Sequence, residues 1–124
     1  MASGTIKKKA AFFSILEKNE SVVDEGTCSL FYDPNTQTVR LYGSARSTGA
    51  TFGTTAELYT VPSGYRPKYD NHISARGFPI AMLVSGSNGT LFPATGWVNY
   101  DGTITQVGSG YATSVYFCCE YPCE

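Results

Sequence analysis

Residues 58–67, LYTVPSGYRP, join a strand-like run to a rigid turn. Val61 is restricted to an extended backbone because it precedes a proline, and Arg66 is restricted in the same way by the proline that follows it. Ser63-Gly64 between them supplies the turn. The stretch therefore predicts a strand, a tight corner and a second strand.

The composition favours β-structure throughout. The 124 residues suit one domain, and they include nine Tyr, seven Phe and 13 Gly but only 15% charged residues, a balance typical of many short strands. The formal net charge of -1 provides no field that would attract nucleic acid or an anionic membrane surface. No apolar run approaches the roughly 20 residues of a membrane helix. We therefore expect a soluble chain that binds no nucleic acid and inserts in no membrane.

The strand and turn signals predict an all-β fold, an antiparallel β-sandwich or barrel. Residues 28–33, CSLFYD, form a strand pattern, residues 33–36, DPNT, form a turn, and residues 37–47 return as a second strand. In the return strand Val39 and Leu41 lie on one face, which we expect to be covered. Later in the chain, the strand pattern is interrupted by a glycine and a proline at positions 77 and 79, which predicts a bent or broken strand.

Residues 96–107, GWVNYDGTITQV, predict a second hairpin around their Asp-Gly pair. A two-residue turn would place Val98 opposite Thr105, whereas a three-residue turn with Gly102 as the left-handed residue would place it opposite Ile104. We favour the three-residue turn because it groups the two aliphatic side chains on one face. The other face then carries Trp97, Asn99, Thr103 and Thr105.

The segment of residues 1–26 differs from the head domain that we predict for residues 27–124. It is basic, then apolar, then acidic and polar, and its apolar positions fit a short helix about as well as an edge strand. We interpret it as an N-terminal lead-in or linker segment, with a truncated linker as an alternative. Glu17 and Lys18 end its apolar run and no small-residue cleavage site follows cleanly, so we predict no signal peptide.

Four cysteines, three of them in the last seven positions of the chain, raise the question of disulfides and metal. Adjacent Cys118 and Cys119 point to opposite faces of a strand and cannot easily bond to each other. A zinc site would need paired ligands, and the only His is far away in sequence. We predict reduced thiols, leave a disulfide of Cys28 or Cys123 open, and expect neither a metal nor a cofactor.

Little in the sequence indicates catalysis. There is one His, no Ser in a nucleophile-elbow context and no Gly-rich phosphate loop. A glycosidase-style carboxylate pair stays open, because acidic residues distant in sequence can meet in space. The candidates are Asp24, Asp33, Glu57, Asp70, Asp101 and Glu120. Asp33 and Asp101 are sufficiently explained as turn residues, and we predict that the chain is not an enzyme.

A saccharide-binding site is better supported. Aromatic rings stack on sugar C–H faces, and polar side chains hydrogen-bond hydroxyls. The predicted ligand-binding residues are Trp97, Tyr100, Tyr69, Asp70, His72 and Arg76, with Asn71, Tyr65 and Tyr111 as further residues near turns. The alternative is structural, since a strand Trp is more often packed in a core or subunit interface, and a lone His is more often a hydrogen-bonded structural residue.

Two motifs resemble the C-terminal head domains of bacteriophage tail-fibre and baseplate receptor-binding proteins. That family carries a strand ending LP-x-GYRP, followed further along the chain by G-x-V-x-x-x-DG-x-I. Here the motifs are YTVPSGYRP at residues 59–67 and GWVNYDGTI at 96–104, and TVRLYGSARSTGATFGTTAEL at 38–58 is similar to the strand and Gly-Thr loop that usually come before. The resemblance spans residues 28–119. Val61 stands where Leu is commoner, and the CCEYPC tail is unusual.

The resemblance implies an antiparallel β-sandwich or barrel head that forms a homotrimer and contacts host cell-envelope saccharides, often in clefts between protomers. It implies no catalysis and no cofactor, other tail or baseplate proteins as partners, and a place at the tail tip or baseplate of the virion after synthesis in the host cytoplasm. The two motifs resemble structural corners of the fold rather than ligand contacts, so we assign no binding residue of the family to this chain. A purely structural virion module without its own ligand is the alternative, and a small glycan-processing enzyme is a further one.

The composition also favours a trimer. The chain has many aromatic and few charged residues, and monomers seldom expose large apolar patches.

Overall fold

The computed structural model of the chain describes residues 9–49, 51–53, 55–86, 89–107 and 112–124. These residues form ten strands and no helix. The strands are β1 (Phe12–Ile15), β2 (Glu17–Lys18), β3 (Val23–Glu25), β4 (Cys28–Asp33), β5 (Thr38–Ser47), β6 (Thr55–Thr60), β7 (Gly77–Ser85), β8 (Leu91–Asn99), β9 (Thr103–Val107) and β10 (Ser114–Pro122).

All strands belong to one antiparallel sheet, in the order β1-β4-β5-β10-β7-β8-β9-β6-β2, with β3 paired to β5. The two end strands, β1 and β2, follow each other in sequence with only Leu16 between them. The Leu16 N–H donates to the Cys28 carbonyl at 2.8 Å, and the Asn19 N–H donates to the Leu58 carbonyl at 2.9 Å. One short segment thus joins both edges of the sheet and makes a nearly closed barrel, which confirms the predicted all-β, antiparallel class.

Residues 12–25, which the sequence analysis places in the lead-in, supply three strands of this barrel and two buried side chains, Leu16 and Val23. The strand pattern is hidden in β1 because its outward positions, Phe13 and Ile15, are apolar, whereas its inward positions are Phe12 and the polar Ser14. A period of two with an apolar inner face and a polar outer face is therefore not present in this strand.

The core lies inside the barrel and follows the alternation expected for strands. Val39, Leu41 and Gly43 of β5 are buried, while Arg40 and Tyr42 between them are exposed, as predicted. The largest fully buried side chains include Tyr59, Tyr121, Leu30, Leu41, Leu58, Ile104 and Gln106. The two fully buried tyrosines are hydrogen-bonded, Tyr59 to the Ser44 carbonyl and Tyr121 to the Tyr65 carbonyl at 2.7 Å, as burial of a hydroxyl requires.

The second hairpin has the predicted register, with Val98 opposite Ile104 and Trp97 opposite Thr105. Gly102 closes the turn with a φ of 96°, and its N–H donates to the Asn99 carbonyl at 2.9 Å. A Cβ atom on Gly102 would come within 2.5 Å of the Val61 carbonyl oxygen. Only glycine fits here, for conformational and for steric reasons.

The two motifs that carry the family resemblance pack against each other. The Val61 N–H donates to the Gly102 carbonyl at 2.7 Å, and Arg66 Nε donates to the Val61 carbonyl at 3.1 Å. The predicted corner is present, with the Tyr65 N–H bonded to the Pro62 carbonyl at 3.2 Å. The strand expected after it is reduced to one bridge at Pro67, because the chain turns away into the loop that precedes β7.

The predicted interruption in the 72–86 region is wrong, since β7 runs without a break through Pro79 to Ser85. β7 pairs with β8 along its whole length, whereas β10 pairs with it only from Met82 onwards. Pro79 therefore has a strand neighbour on one side only. A residue without an N–H is tolerated at such an edge position.

Candidate functional site

The loop of residues 68–76 folds onto the end of the β8–β9 hairpin, and Tyr100 holds it there. The Tyr100 hydroxyl donates to the Ser74 carbonyl at 2.8 Å and accepts the Asp70 N–H at 3.3 Å. The Tyr100 backbone N–H donates to the Arg76 carbonyl at 3.3 Å. One residue of the hairpin thereby satisfies polar backbone groups at three points of the loop, two through its hydroxyl and one through its backbone N–H.

Asp70 shapes the loop from within. Its carboxylate accepts the His72 N–H at 3.0 Å, and its carbonyl accepts the N–H groups of Ile73 and Ser74, each at 3.1 Å. Such a side-chain-to-backbone bond two residues ahead is a common turn device of Asp. The turn leaves His72 and Ile73 exposed at its tip.

Three aromatic rings of the predicted site have different surroundings. Tyr69 is 64% exposed and contacts Tyr100, with ring centroids 4.9 Å apart and planes tilted by 59°. Trp97 is half-buried, and the Arg76 guanidinium lies over its ring at 5.4 Å from the centroid. Tyr69 is therefore the ring open to a ligand, while Trp97 is partly covered by a cation–π contact with the loop.

A cleft of about 310 Å³ lies between this loop, the start of β7 and the end of β10. Its walls are mostly apolar, with charged side chains at the rim. It is lined by Pro67, Lys68, Tyr69, Asp70, Ile73, Gly77, Phe78, Tyr100 and Pro122. We call it the candidate cleft.

Of the six predicted ligand-binding residues, Tyr69, Asp70 and Tyr100 line the candidate cleft. Arg76 and Trp97 pair with each other beside it, and His72 is exposed on the loop. Of the further residues, Tyr65 packs elsewhere, stacked on Phe12 with ring centroids 4.4 Å apart, and Tyr111 lies outside the described residues.

Six lining residues lie outside the predicted set, Pro67, Lys68, Ile73, Gly77, Phe78 and Pro122. Ile73 carries a sequence signal as an isolated aliphatic residue in an otherwise polar loop, and it is 68% exposed. Phe78 and Pro122 gave no local signal. They meet because β7 and β10 separate at this end of the barrel.

A polar cluster continues outward from the cleft along the hairpin. Asn99 Nδ2 donates to Thr105 Oγ1 at 2.7 Å and to Thr103 Oγ1 at 2.9 Å. The Asn99 Oδ1 atom is buried and has no hydrogen-bond partner in the part of the chain that the structure describes. The predicted grouping of these residues with Trp97 on one face is confirmed by the register.

Three of the six acidic residues considered for catalysis have turn roles, and the other three lie in strands. Asp33 accepts the Asn35 N–H at 2.8 Å, and Asp101 accepts the Thr103 N–H at 3.0 Å. This bond to the Thr103 backbone, followed by one from the Thr103 hydroxyl, lowers the pKa of Asp101. Within residues 9–49, 51–53, 55–86, 89–107 and 112–124, no group of three His, Cys, Asp or Glu side chains is arranged to hold a metal ion.

All four cysteines are free thiols, so the disulfide left open for Cys28 or Cys123 is not formed. Cys28 is buried on the inner side of β4, and Cys118 is exposed on the outer side of β10. Burial raises the pKa of both Cys28 and Cys119 to about 12, which keeps these thiols neutral and poorly reactive.

No protein-family model matches the chain, and no curated protein matches it. The described residues also contain no helix that is long and apolar enough to cross a membrane.

Proposed function

We propose that this domain is the non-catalytic receptor-binding head of a bacteriophage tail protein, located at the tail tip or baseplate, and that it recognises saccharides of the host cell envelope as a homotrimer. The motifs at residues 59–67 and 96–104 support the family, and the antiparallel barrel agrees with the expected architecture. The observation that carries the ligand class is the candidate cleft, where an exposed tyrosine ring stands beside charged side chains.

The cleft offers the two kinds of contact that sugars need. Tyr69 and Ile73 are 64% and 68% exposed, and they present apolar surface to sugar C–H faces. The Asp70 carboxylate accepts one backbone N–H and retains further acceptor capacity for hydroxyls. Lys68 at the rim can donate to hydroxyl or acidic groups of the same ligand.

A structural module without its own ligand is the second candidate, and one observation favours it. Trp97 and Tyr100 both contact the loop of residues 68–76, Trp97 through Arg76 and Tyr100 through its hydroxyl. These two aromatic residues have a sufficient role in holding the loop. Tyr69 has no comparable role, because its ring is exposed and contacts only the Tyr100 ring in the described part of the chain.

The test is binding of the chain to a glycan array and to intact host-cell envelopes. We expect Tyr69→Ala to weaken saccharide binding about tenfold, because a stacking ring is lost. The matched variant Tyr69→Phe keeps the ring and should keep most of the binding. Equal binding by a well-folded Tyr69→Ala protein would remove this cleft from the proposal.

The same measurement separates the alternatives. Absence of binding to every glycan and every host envelope would favour the structural module. Release of reducing ends from a host polysaccharide would instead support the glycan-processing enzyme. Because Tyr69 makes no hydrogen bond within the described residues, its substitution should leave the free energy of unfolding within about 0.5 kcal/mol of the wild type.

A further inference from the structure

The outer face of one side of the barrel carries large apolar side chains that are exposed to solvent. They are Phe13 of β1, Phe31 of β4, Tyr42 of β5, Tyr116 of β10 and Leu83 of β7, together with Ile15 of β1. We call this set the apolar wall. It extends across five neighbouring strands of the sheet.

The strand register places the side chains of the apolar wall in three staggered rows, with Arg40 opposite Phe31 and Ser29 opposite Tyr42. Phe13 lies opposite Phe31, and Tyr116 lies opposite Leu83. Tyr42 lies opposite Cys118, next to Tyr116 along the same two strands. Five strands spaced about 4.8 Å apart extend this surface over roughly 20 Å.

The exposed area exceeds what a monomer usually leaves in contact with water. Tyr42 is 74% exposed, Phe13 64%, Ile15 57%, Leu83 48%, Tyr116 46% and Phe31 41%. With about 200 Å² for a fully exposed side chain of this size, the six expose roughly 650 Å². The largest apolar patch of a typical monomer is about 300–600 Å². A stable protein–protein interface buries about 800 Å² on each partner, so the apolar wall supplies most of one such surface.

The wall also contains a groove that can receive side chains of a partner. β10 pairs with β7 only over Ser114–Phe117, and the strands separate beyond that point. The groove of about 640 Å³ where they separate has Met82 and Phe117 at its base and Tyr42, Leu83 and Pro93 at its sides. Apolar anchors of a partner that enter such a groove become fully desolvated, which is where binding free energy concentrates.

The charges at the borders of the wall indicate which partner it fits. Arg40 and Glu120 form an ion pair at 3.2 Å on one border, and Arg46 and Glu25 approach to 3.9 Å on the other. Each border therefore carries both signs and no net charge. A strongly basic or acidic partner finds no charge excess here, whereas a second copy brings the same alternating borders and can exchange ion pairs with them.

We propose that the apolar wall is the surface through which copies of this chain associate. The inference rests on the proposed self-association and adds the surface that forms it. On β7 the wall ends at Leu83, which lies opposite Pro93 of β8 and four residues from Pro79, the partner of Trp97. A copy seated on the wall lies within about 13 Å of Trp97 along the strand, close to the candidate cleft.

The test compares two charge-introducing double variants of the chain by size-exclusion chromatography with light scattering. Tyr42→Lys with Leu83→Lys places two cations on the wall. Thr55→Lys with Thr60→Lys places two cations at exposed positions of β6, outside the wall and outside the candidate cleft. We expect an oligomer for the wild type and for the control variant, and an increase of about a hundredfold in the dissociation constant for the wall variant.

Cys118 gives a second measurement on the unmodified chain. It is an exposed thiol beside Tyr42, while Cys28 and Cys123 are buried. We expect reaction of Cys118 with a thiol reagent to be about tenfold slower in the oligomer than in the dissociated chain at high dilution. If circular dichroism shows that the wall variant is unfolded, the Cys118 reaction rate tests whether the wall is the surface of association.

Three outcomes would overturn the proposal. They are a wild-type chain that stays monomeric at high micromolar concentration, a wall variant that associates as the wild type does, and a Cys118 reaction rate that does not change on association. A monomer that still binds saccharide would leave saccharide recognition standing and would remove both the wall and the proposed trimer. If the wall variant dissociated the oligomer but the chain bound no saccharide, the wall would stand and the receptor-binding function would be removed.

Discussion

The apolar wall and the candidate cleft both expose aromatic residues, but only at the cleft do these residues have partners within the chain. Tyr100 uses its hydroxyl to hold a loop, and Trp97 lies under the Arg76 guanidinium. On the wall, Tyr42 and Tyr116 make no ring contact or side-chain hydrogen bond with the part of the chain that the structure describes. Residue type alone does not distinguish the two regions.

The difference shows how the same residue types serve two purposes. At the cleft, the aromatic residues compensate for a loop that makes few backbone bonds of its own, so part of their surface is already covered. On the wall, β4, β5 and β10 are paired along their length, and the rings contribute nothing to that pairing. Apolar surface that stabilises nothing within the chain is typical of a surface that another molecule covers.

The first prediction concerns the thiols on the inner side of the strands that carry the wall, which make the stability of the fold depend on pH. Burial raises the pKa of the Cys28 thiol to about 12 from its usual 9.0, and the same holds for Cys119. Between these values the unfolded chain has lost the proton that the folded chain retains. The unfolded state therefore binds fewer protons, so the free energy of unfolding decreases as pH rises. The contribution is complete below pH 9 and lost above about pH 12.

We expect a loss of about 1.4 kcal/mol per pH unit for each of these thiols, measured by urea unfolding between pH 8 and pH 11. Cys28→Ala should remove one such contribution to the slope. The same slope for wild type and Cys28→Ala would show that Cys28 is not shielded in the folded state.

The second prediction compares a tyrosine hydroxyl at the cleft with one on the wall. Tyr100→Phe removes the bonds to Ser74 and Asp70 and should lower the free energy of unfolding by about 1–2 kcal/mol. Tyr42→Phe removes a hydroxyl exposed to water and should change stability by less than about 0.5 kcal/mol. Hydrogen exchange should accelerate at the Ile73 and Ser74 amides in the first variant only. Equal effects of the two variants would contradict the role of Tyr100 as the anchor of the loop.

Much of the fold could be predicted because local chemistry determines it. The three-residue turn with Gly102 follows from the pairing of Val98 with Ile104, and the structure has that register. The closure of the barrel by residues 12–18 could not be predicted. The outward positions of β1, Phe13 and Ile15, are apolar while the inward Ser14 is polar, and the partners of this segment, β4 and β6, are determined by the sheet as a whole.

The candidate site was accessible to sequence reasoning through residue types but not through geometry. Tyr69, Asp70 and Tyr100 were selected as an aromatic and polar set, and the structure brings them to one cleft. The cover of Arg76 over Trp97 could not be derived, because it depends on where the loop of residues 68–76 lands on the hairpin. Sequence predicts which side chains are suited to a ligand, and packing decides which of them are still available.

The smallest expected effect on stability concerns the Arg76 guanidinium that covers the Trp97 ring. Arg76→Gln removes the cation above Trp97 and should lower the free energy of unfolding by about 0.5–1 kcal/mol. Trp97 is the only tryptophan of the chain, so its fluorescence reports the change directly, and we expect emission to move to longer wavelength as water reaches the ring. Arg40→Gln is the control, since it removes an arginine that pairs with Glu120 on the wall. The control should leave the emission unchanged and cost less than about 1 kcal/mol. If Arg76→Gln left the emission unchanged, Trp97 would already be open to water and would return as a candidate stacking ring beside Tyr69.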